Sequence, residues 1–118
     1  YGIRSVYDGR YRYIVNLTPE ATFQNVETKS PLFKKWKSLA ETDSHAKAMT
    51  IKYQHRPAIE LYDVKNDPYC MKNLAEDAKQ ASTISRLDKE LKRWMKDCGD
   101  EGQPTEMRAF EHMPGKRK

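Results

Sequence analysis

An apolar stripe in the last third of the chain must be covered by another element of structure. Its members recur at steps of three and four residues: Ile84, Leu87, Leu91, Trp94, Met95 and Cys98. The opposite side is charged, so the pattern predicts one long amphipathic helix, with Asp77 as its N-cap and Gly99 as its C-terminal stop. Full burial of a large apolar side chain is worth about 1.5–3 kcal/mol, so this helix should anchor the domain.

A β-hairpin is predicted at the start of the chain. Residues 3–7 and 11–17 are rich in β-branched and aromatic side chains, and they flank Asp8-Gly9, a pair that favours a tight turn. Residues alternate along the second arm, where one face carries Tyr11, Tyr13, Val15 and Leu17. The other face is mostly polar, so we expect only one face of the hairpin to cover a core.

Two short helices and a third strand are predicted in the middle of the chain. Ser30 before Pro31 is a helix start, and apolar residues follow at helical spacing: Leu32, Phe33, Trp36, Leu39 and Ala40. Asp43 marks the start of a second helix, which must end before Pro57. The strand follows over residues 59–63, and Asn66-Asp67-Pro68 ends it. On this strand Ile59 and Leu61 face one way, and Glu60 and Tyr62 face the other.

These elements predict an α+β fold. A small antiparallel β-sheet, made of the hairpin plus a further strand, packs against the long C-terminal α-helix, with short helices in the connection. We predict that residues 1–99 form this domain, and that residues 100–118, ending in Lys116-Arg117-Lys118, form a polar, mobile tail. The chain opens at Tyr1 inside a strand signal and shows no leader, so we expect it to be a piece of a longer protein.

Charge and cysteine content do not indicate a specific site. The net charge is +5, but the basic residues are interleaved with acidic ones, which is typical of a solvated surface. Cys70 and Cys98 are either one bridge or two free thiols. We find no nucleophile with a base, no Gly-rich phosphate loop and no metal pair among His45, His55 and His112. No catalytic residue and no metal ligand is therefore predicted in this chain.

One series of short motifs carries a resemblance to a known family. The motifs are Arg56-Pro57, Glu60-Leu61-Tyr62-Asp63, Asp67-Pro68 and Asn73-Leu74-Ala75, followed by the long helix with Leu87, Leu91 and Trp94. In this order they resemble the C-terminal end of sulfatases. Upstream, Arg4-Ser5-Val6 and the strand from Tyr11 are similar to the segment where sulfatases leave the catalytic domain. The resemblance covers residues 1–98 and most resembles the heparan N-sulfatase (sulfamidase) branch.

The resemblance implies a structural role for the motif residues and a parent enzyme that hydrolyses a sulfate ester or sulfamate on a carbohydrate. Sulfatases use a formylglycine, made in a C-x-P-x-R type motif, beside a calcium ion, and neither Cys70 nor Cys98 begins such a motif. The resemblance therefore places the formylglycine and calcium in an N-terminal catalytic domain before Tyr1. The partners implied are that domain and a sulfated carbohydrate, with neither a membrane span nor nucleic acid. Sulfatases are usually exported to periplasm, cell surface or lysosome.

Two roles remain open for the chain at this point. As a sulfatase domain it would be non-catalytic, and its candidates for the lip of the substrate site are His55 and Arg56, with Arg4 and Arg12 behind them. The alternative for Arg56 is a salt bridge to Glu60 or Asp63 that braces the fold. As a free-standing basic α+β module the chain would instead bind nucleic acid or another polyanion. The first role predicts an exposed apolar patch, and the second predicts a continuous positive face.

Overall fold

Three strands and four α-helices make up the described part of the chain. The structure is a computed structural model that describes residues 1–112. In chain order the elements are β1 (Ile3–Tyr7), β2 (Tyr11–Asn16), α1 (Pro31–Leu39), α2 (Ser44–Gln54), β3 (Ile59–Asp63), α3 (Ala81–Asp97) and α4 (Gln103–Met107). Short 3₁₀ turns lie at Glu27–Lys29, Ala78–Gln80 and Ala109–His112. None of these helices has the length and apolar composition that crossing a bilayer requires.

Backbone contacts divide the described residues into two compact units. The helical unit consists of Tyr1 and Thr18–Pro57, and the sheet unit consists of Gly2–Leu17 and the chain from Ala58 onward. The sheet unit holds β1, β2, β3, α3 and α4, whereas α1 and α2 belong to the helical unit. A domain boundary at residue 99 stays a prediction.

The sheet is antiparallel with strand order β1-β2-β3, as predicted. Tyr7 pairs with Arg12 across the hairpin, and Tyr13 pairs with Leu61 across β2 and β3. The hairpin turn depends on Gly9, whose φ of 99° is a conformation that side chains with a Cβ rarely adopt. Asp8 closes the same turn, because its Oδ1 accepts the backbone N–H groups of Arg10 at 2.9 Å and Tyr11 at 2.7 Å.

The core lies between one face of the sheet and α3, which confirms the predicted α+β fold. Four fully buried side chains form its centre: Tyr13, Leu61, Leu87 and Leu91. The predicted stripe is wrong at its end, where Trp94 is 57% exposed and Cys98 is also exposed. Trp94 lies at the flank of the stripe, because Met95, one residue further along α3, still packs against the core. Cys98 follows Asp97, the last residue of α3.

The second face of the sheet is also buried, which corrects the prediction of a single covered face. The buried side chains on this face are Ile14, Asn16, Glu60 and Tyr62. Two hydrogen bonds connect the polar side chains of this face, and in one of them the Asn16 side-chain amide donates to Glu60 Oε2 at 2.7 Å. The Tyr62 hydroxyl donates to Glu60 Oε1 at 2.6 Å. These two hydrogen bonds offset part of the cost of burying polar side chains on this face.

The two helices of the helical unit begin at the predicted caps. Ser30 Oγ accepts the backbone N–H of Phe33 at 3.1 Å, and Asp43 Oδ1 accepts that of Ala46 at 2.7 Å. Phe33 is buried and packs its ring 5.4 Å from that of Tyr53, measured between centroids. The other large apolar side chains predicted to face inward from α1 are exposed, namely Leu32, Trp36 and Leu39.

The first part of the predicted tail contains α4 and contacts β1, and the mobility of the tail stays a prediction. Arg4 in β1 forms ion pairs with Asp100 and with Glu106 in α4, the latter at 2.7 Å. Gly2 is buried beside them, and a Cβ there would lie 2.8 Å from Glu106 Cγ. The composition of this segment does not indicate that it holds the partners of Arg4, which are 96 and 102 residues further along the chain. Lys116-Arg117-Lys118 lies outside the described residues.

Candidate functional site

Asp63 ends β3 and pairs with an arginine of the hairpin turn. Its Oδ2 accepts hydrogen bonds from Arg10 Nε at 3.2 Å and Arg10 Nη2 at 2.8 Å. The side-chain amide of Asn66 donates to the same oxygen at 2.9 Å. The Arg10 guanidinium, followed by Asn66, lowers the pKa of Asp63 to about 2. Asp63 is therefore ionised at neutral pH and joins the end of β3 to the hairpin turn, rather than holding a proton for transfer.

Asp67 organises the turn that follows β3. Its Oδ1 accepts the backbone N–H of Met71 at 3.0 Å, and its Oδ2 accepts that of Lys72 at 2.8 Å. The next residue, Pro68, has a fixed φ that favours a turn. Cys70 lies inside this turn with a φ of 52°, in the left-handed region that non-glycine residues seldom occupy. The carboxylate of Asp67 thus holds together a turn whose backbone is strained at Cys70.

Asn73 hydrogen-bonds the outer edge of β3. Its Oδ1 accepts the backbone N–H of Leu61 at 2.9 Å, and its Nδ2 donates to the carbonyl oxygen of Ile59 at 3.2 Å. The backbone N–H of Leu74 donates to the Leu61 carbonyl oxygen at 2.8 Å. Leu74 is partly buried against the core that contains Leu61. Asn73 and Leu74 therefore satisfy edge groups of β3 that would otherwise need a further strand.

The two candidates for a substrate lip lie at the end of α2. His55 is exposed and ends the helix, where its backbone N–H donates to the Ile51 carbonyl oxygen at 2.8 Å. Arg56 is half-buried, and its guanidinium carbon lies 5.8 Å from the ring centroid of Phe23. Pro57 follows and ends the helical unit. Their role at a substrate site stays a prediction.

Arg4 and Arg12, predicted to stand behind these candidates, do not converge with each other. Arg4 pairs in register with Val15 of β2, three residues from Arg12, so the two arginines lie on opposite faces of the sheet. Arg4 is committed to Asp100 and Glu106. Those carboxylates raise its pKa above the ordinary arginine value. Arg12 lies against Tyr7, with its guanidinium carbon 5.7 Å from the ring centroid.

Ion pairs interrupt the positive charge of the described surface. Several cations have a carboxylate partner: Arg4, Arg10, Arg86, Lys92, Arg93 and Arg108. One of these pairs, Arg86 with Asp8 at 2.5 Å, lowers the pKa of Asp8 to about 2, together with backbone hydrogen bonds from Tyr11 and Arg10. This interleaving does not favour the alternative of a polyanion-binding module.

Two curated relatives match most of the chain, and no protein-family profile matches it. Both are described as ulvan-active sulfatases of Formosa agariphila. One is 32% identical over 108 residues, covering 88% of this chain and 18% of the relative. The other is 32% identical over 97 residues, covering 82% of this chain and 18% of the relative. The chain is sulfatase-related. It spans about a fifth of the length of these two sulfatases.

His, Cys, Asp and Glu side chains are dispersed in the described part of this sulfatase-related chain. No three of its His, Cys, Asp and Glu side chains within residues 1–112 are grouped so that they could hold a metal ion. The two aspartates nearest each other in the motif are already engaged, Asp63 by Arg10 and Asp67 by the turn backbone. Of the alternatives for Cys70 and Cys98, the structure has the one in which they are not bridged to each other.

Sequence reasoning missed three connections in the sulfatase-related fold. The Asn73 contact to β3 had a local signal, because Asn is rare inside strands and common where side chains hydrogen-bond backbone. The pairs Asp8–Arg86 and Arg4–Asp100 had no local signal, since their members are 78 and 96 residues apart. A single sequence shows that such charges exist, but it does not show which of them meet.

Proposed function

We propose that this chain is the non-catalytic C-terminal domain of a larger sulfatase and that it supports the catalytic domain. The observation that supports the proposal is that polar side chains of the motif series form hydrogen bonds within the fold. Asp63 hydrogen-bonds Arg10, Asp67 hydrogen-bonds the turn backbone, and Asn73 hydrogen-bonds the edge of β3. Residues used in this way brace a structure, and they match the segment shared with two sulfatases.

For the whole protein we propose hydrolysis of a sulfate ester or sulfamate on a carbohydrate. The nucleophilic formylglycine and the calcium ion that offsets sulfate charge would both lie in the catalytic domain. The relatives' description makes ulvan the first substrate to try, and the resemblance to sulfamidases adds a sulfamate-bearing polysaccharide. We propose export from the cytoplasm for the same protein.

The test is expression of the complete gene product that contains this chain, with inorganic sulfate release as the readout. Ulvan and an N-sulfated polysaccharide are supplied in parallel, which separates sulfate esters from sulfamates. We expect release from one of them, and loss of release when residues 58–107 are deleted. Activity that persists unchanged after the deletion would contradict the supporting role. Absence of any sulfatase motif and activity in the complete product would contradict the sulfatase proposal.

The substrate lip can be tested separately at His55. This side chain is exposed at the end of α2, so its removal should leave the thermal midpoint unchanged. We propose that His55→Ala raises KM for the sulfated carbohydrate by several fold, whereas Lys47→Ala, at an exposed position on the same helix, does not. Equal KM values for the two variants would remove His55 from the substrate site.

A further inference from the structure

Three apolar side chains of α1 form a continuous exposed stripe. Leu32, Trp36 and Leu39 are 59%, 47% and 50% exposed, respectively. They are spaced at i, i+4 and i+7, so they lie in one row beside the row that contains buried Phe33. Met49 of α2, which is half-buried, borders the same surface. We call these four residues, Leu32, Trp36, Leu39 and Met49, the Trp36 patch.

Trp36 separates two open cavities in this surface. One, of about 340 Å³, is lined by Trp36, Leu39, Asp43, His45, Ala46 and Met49. The other, of about 180 Å³, is lined by Glu27, Ser30, Leu32, Phe33, Trp36 and Tyr53. The Trp36 indole is supported from behind by Phe33, with ring centroids 6.4 Å apart, and Phe33 in turn packs on Tyr53. In the Trp36 patch, an aromatic side chain supported by Phe33 therefore lies at the border of two open cavities.

A contiguous apolar surface of this kind marks an interaction site, because single exposed apolar side chains are common in folded proteins but connected groups are not. The two cavities beside Trp36 can accept protruding apolar side chains of a partner. Charged side chains of both signs border the stripe: Lys35 is next to it on α1, and Asp43 and Glu27 line the two cavities. A partner that complements this surface has an apolar centre and a polar rim.

We infer that the Trp36 patch is the surface on which the catalytic domain of the same polypeptide docks. This inference rests on the proposed function. The alignment with one of the relatives covers 88% of the 118 residues, which leaves about 14 residues outside it. Because α1 lies further than 14 residues from either end of the chain, the alignment includes α1. The patch thus belongs to the segment shared with proteins in which it makes up 18% of the length.

The size of the Trp36 patch favours a tethered partner over a second copy of the chain. A stable contact between separate molecules buries about 800 Å² on each partner, more than four side chains supply. A domain joined covalently is held at a high effective concentration, so a smaller apolar contact is sufficient for docking. The covalent connection therefore makes the catalytic domain the occupant that this small surface fits.

The test uses thiol labelling in the complete protein. Leu39→Cys places a thiol in the Trp36 patch, and Trp94→Cys places one on α3 at a site of similar exposure, 57% against 50%. Peptide mass mapping separates both thiols from native Cys70 and Cys98. We expect the thiol at position 39 to react roughly tenfold or more slowly than the one at position 94. Adding Trp36→Lys should restore fast labelling at position 39, while Trp94→Lys should not.

Four outcomes separate this inference from the proposed function. Fast labelling at position 39 in a protein that releases sulfate overturns the docking surface and leaves the sulfatase role intact. Slow labelling without sulfate release supports the docking surface and overturns the sulfatase role. Protection that disappears on dilution assigns the patch to a second copy and overturns the inference. If Trp36→Lys impairs folding, amide exchange in α3 becomes faster. The labelling rates of Leu39→Cys and Trp94→Cys in proteins that keep Trp36 then decide whether the patch is a docking surface.

Discussion

Asn73 contacts the backbone of Leu61 in the way that a neighbouring strand would. The amide oxygen accepts the Leu61 N–H at 2.9 Å, while Leu74 donates to the Leu61 carbonyl oxygen. Both backbone groups of a fully buried core residue are thus satisfied at the outer edge of β3. This contact links the shared Asn-Leu motif to the core, because Leu61 packs with Leu87 and Leu91 of α3.

Asn73→Ala should lower the free energy of unfolding by about 1–3 kcal/mol, because it leaves the Leu61 N–H without its acceptor. Asn73→Asp keeps an acceptor oxygen and loses the donor to Ile59, so its cost should be smaller. Urea unfolding of the two variants measures the difference. Identical unfolding free energies for Asn73→Ala and the unmodified protein would contradict the role assigned to Asn73.

Leu87→Ala should lower the free energy of unfolding by about 2–5 kcal/mol, because the side chain is 1% exposed and lies at the centre of the core. Met107→Ala provides a helical control at a residue that is 71% exposed, where the change should stay within about 0.5 kcal/mol. The measurement is the urea midpoint at constant slope. A Leu87→Ala midpoint equal to that of Met107→Ala would place the core elsewhere.

Stability should fall in acid as Asp63 becomes protonated. Its pKa is about 2 in the folded protein against an ordinary value of 3.8, so the unfolded chain binds more protons between these values. The contribution of Asp63 is therefore fully present above about pH 5 and is lost as the pH falls toward 2. Arg10→Gln removes the main cause of the lowered pKa and should flatten this dependence.

The pH experiment is a series of thermal midpoints from neutral pH down to acid. Lys89→Gln removes one positive charge from an exposed position on α3 and serves as the matched control. We expect the acid-induced drop in midpoint to be smaller for Arg10→Gln than for Lys89→Gln. Parallel curves for the two variants would show that the Arg10–Asp63 pair does not contribute to acid sensitivity.

Arg4→Met should loosen α4 selectively, because it removes the partner shared by Asp100 and Glu106. Hydrogen bonds to charged groups contribute about 1.5–3 kcal/mol each, so amide exchange over 103–107 should accelerate by about tenfold or more. Arg93→Met, which removes an exposed pair with Glu90, is the control. Equal exchange in α4 for both variants would remove Arg4 as its anchor.

Local signals in the sequence predicted most of the secondary structure. Ser30 and Asp43 cap their helices, and Asp8-Gly9 forms the hairpin turn, because each acts on backbone groups within three residues. Alternation also predicted which residues of β3 share a face. It did not predict that Glu60 and Asn16 are buried, since their burial depends on a hydrogen bond between residues 44 positions apart.

Contacts across the chain account for what the sequence could not predict. Trp94 belongs to the helical stripe by spacing, yet it is exposed while its neighbour Met95 packs against the core, and this depends on how α3 is turned toward the sheet. For the candidate site too, the sequence indicated some features and only the fold showed the others. The motif order indicated that Asp63, Asp67 and Asn73 matter, whereas only the fold assigns Arg10 to Asp63 and Leu61 to Asn73.

The distance in sequence between Arg4 and its partners affects how the protein is made. During translation the hairpin emerges before the other elements of the sheet unit, and its short-range contacts allow it to close before they appear. The partners of Arg4, Asp100 and Glu106, are synthesised only 96 and 102 residues later. A nascent or truncated chain that stops before residue 100 carries a hairpin whose arginine has neither of these counter-charges. The sheet unit is therefore complete only after residue 106 has left the ribosome.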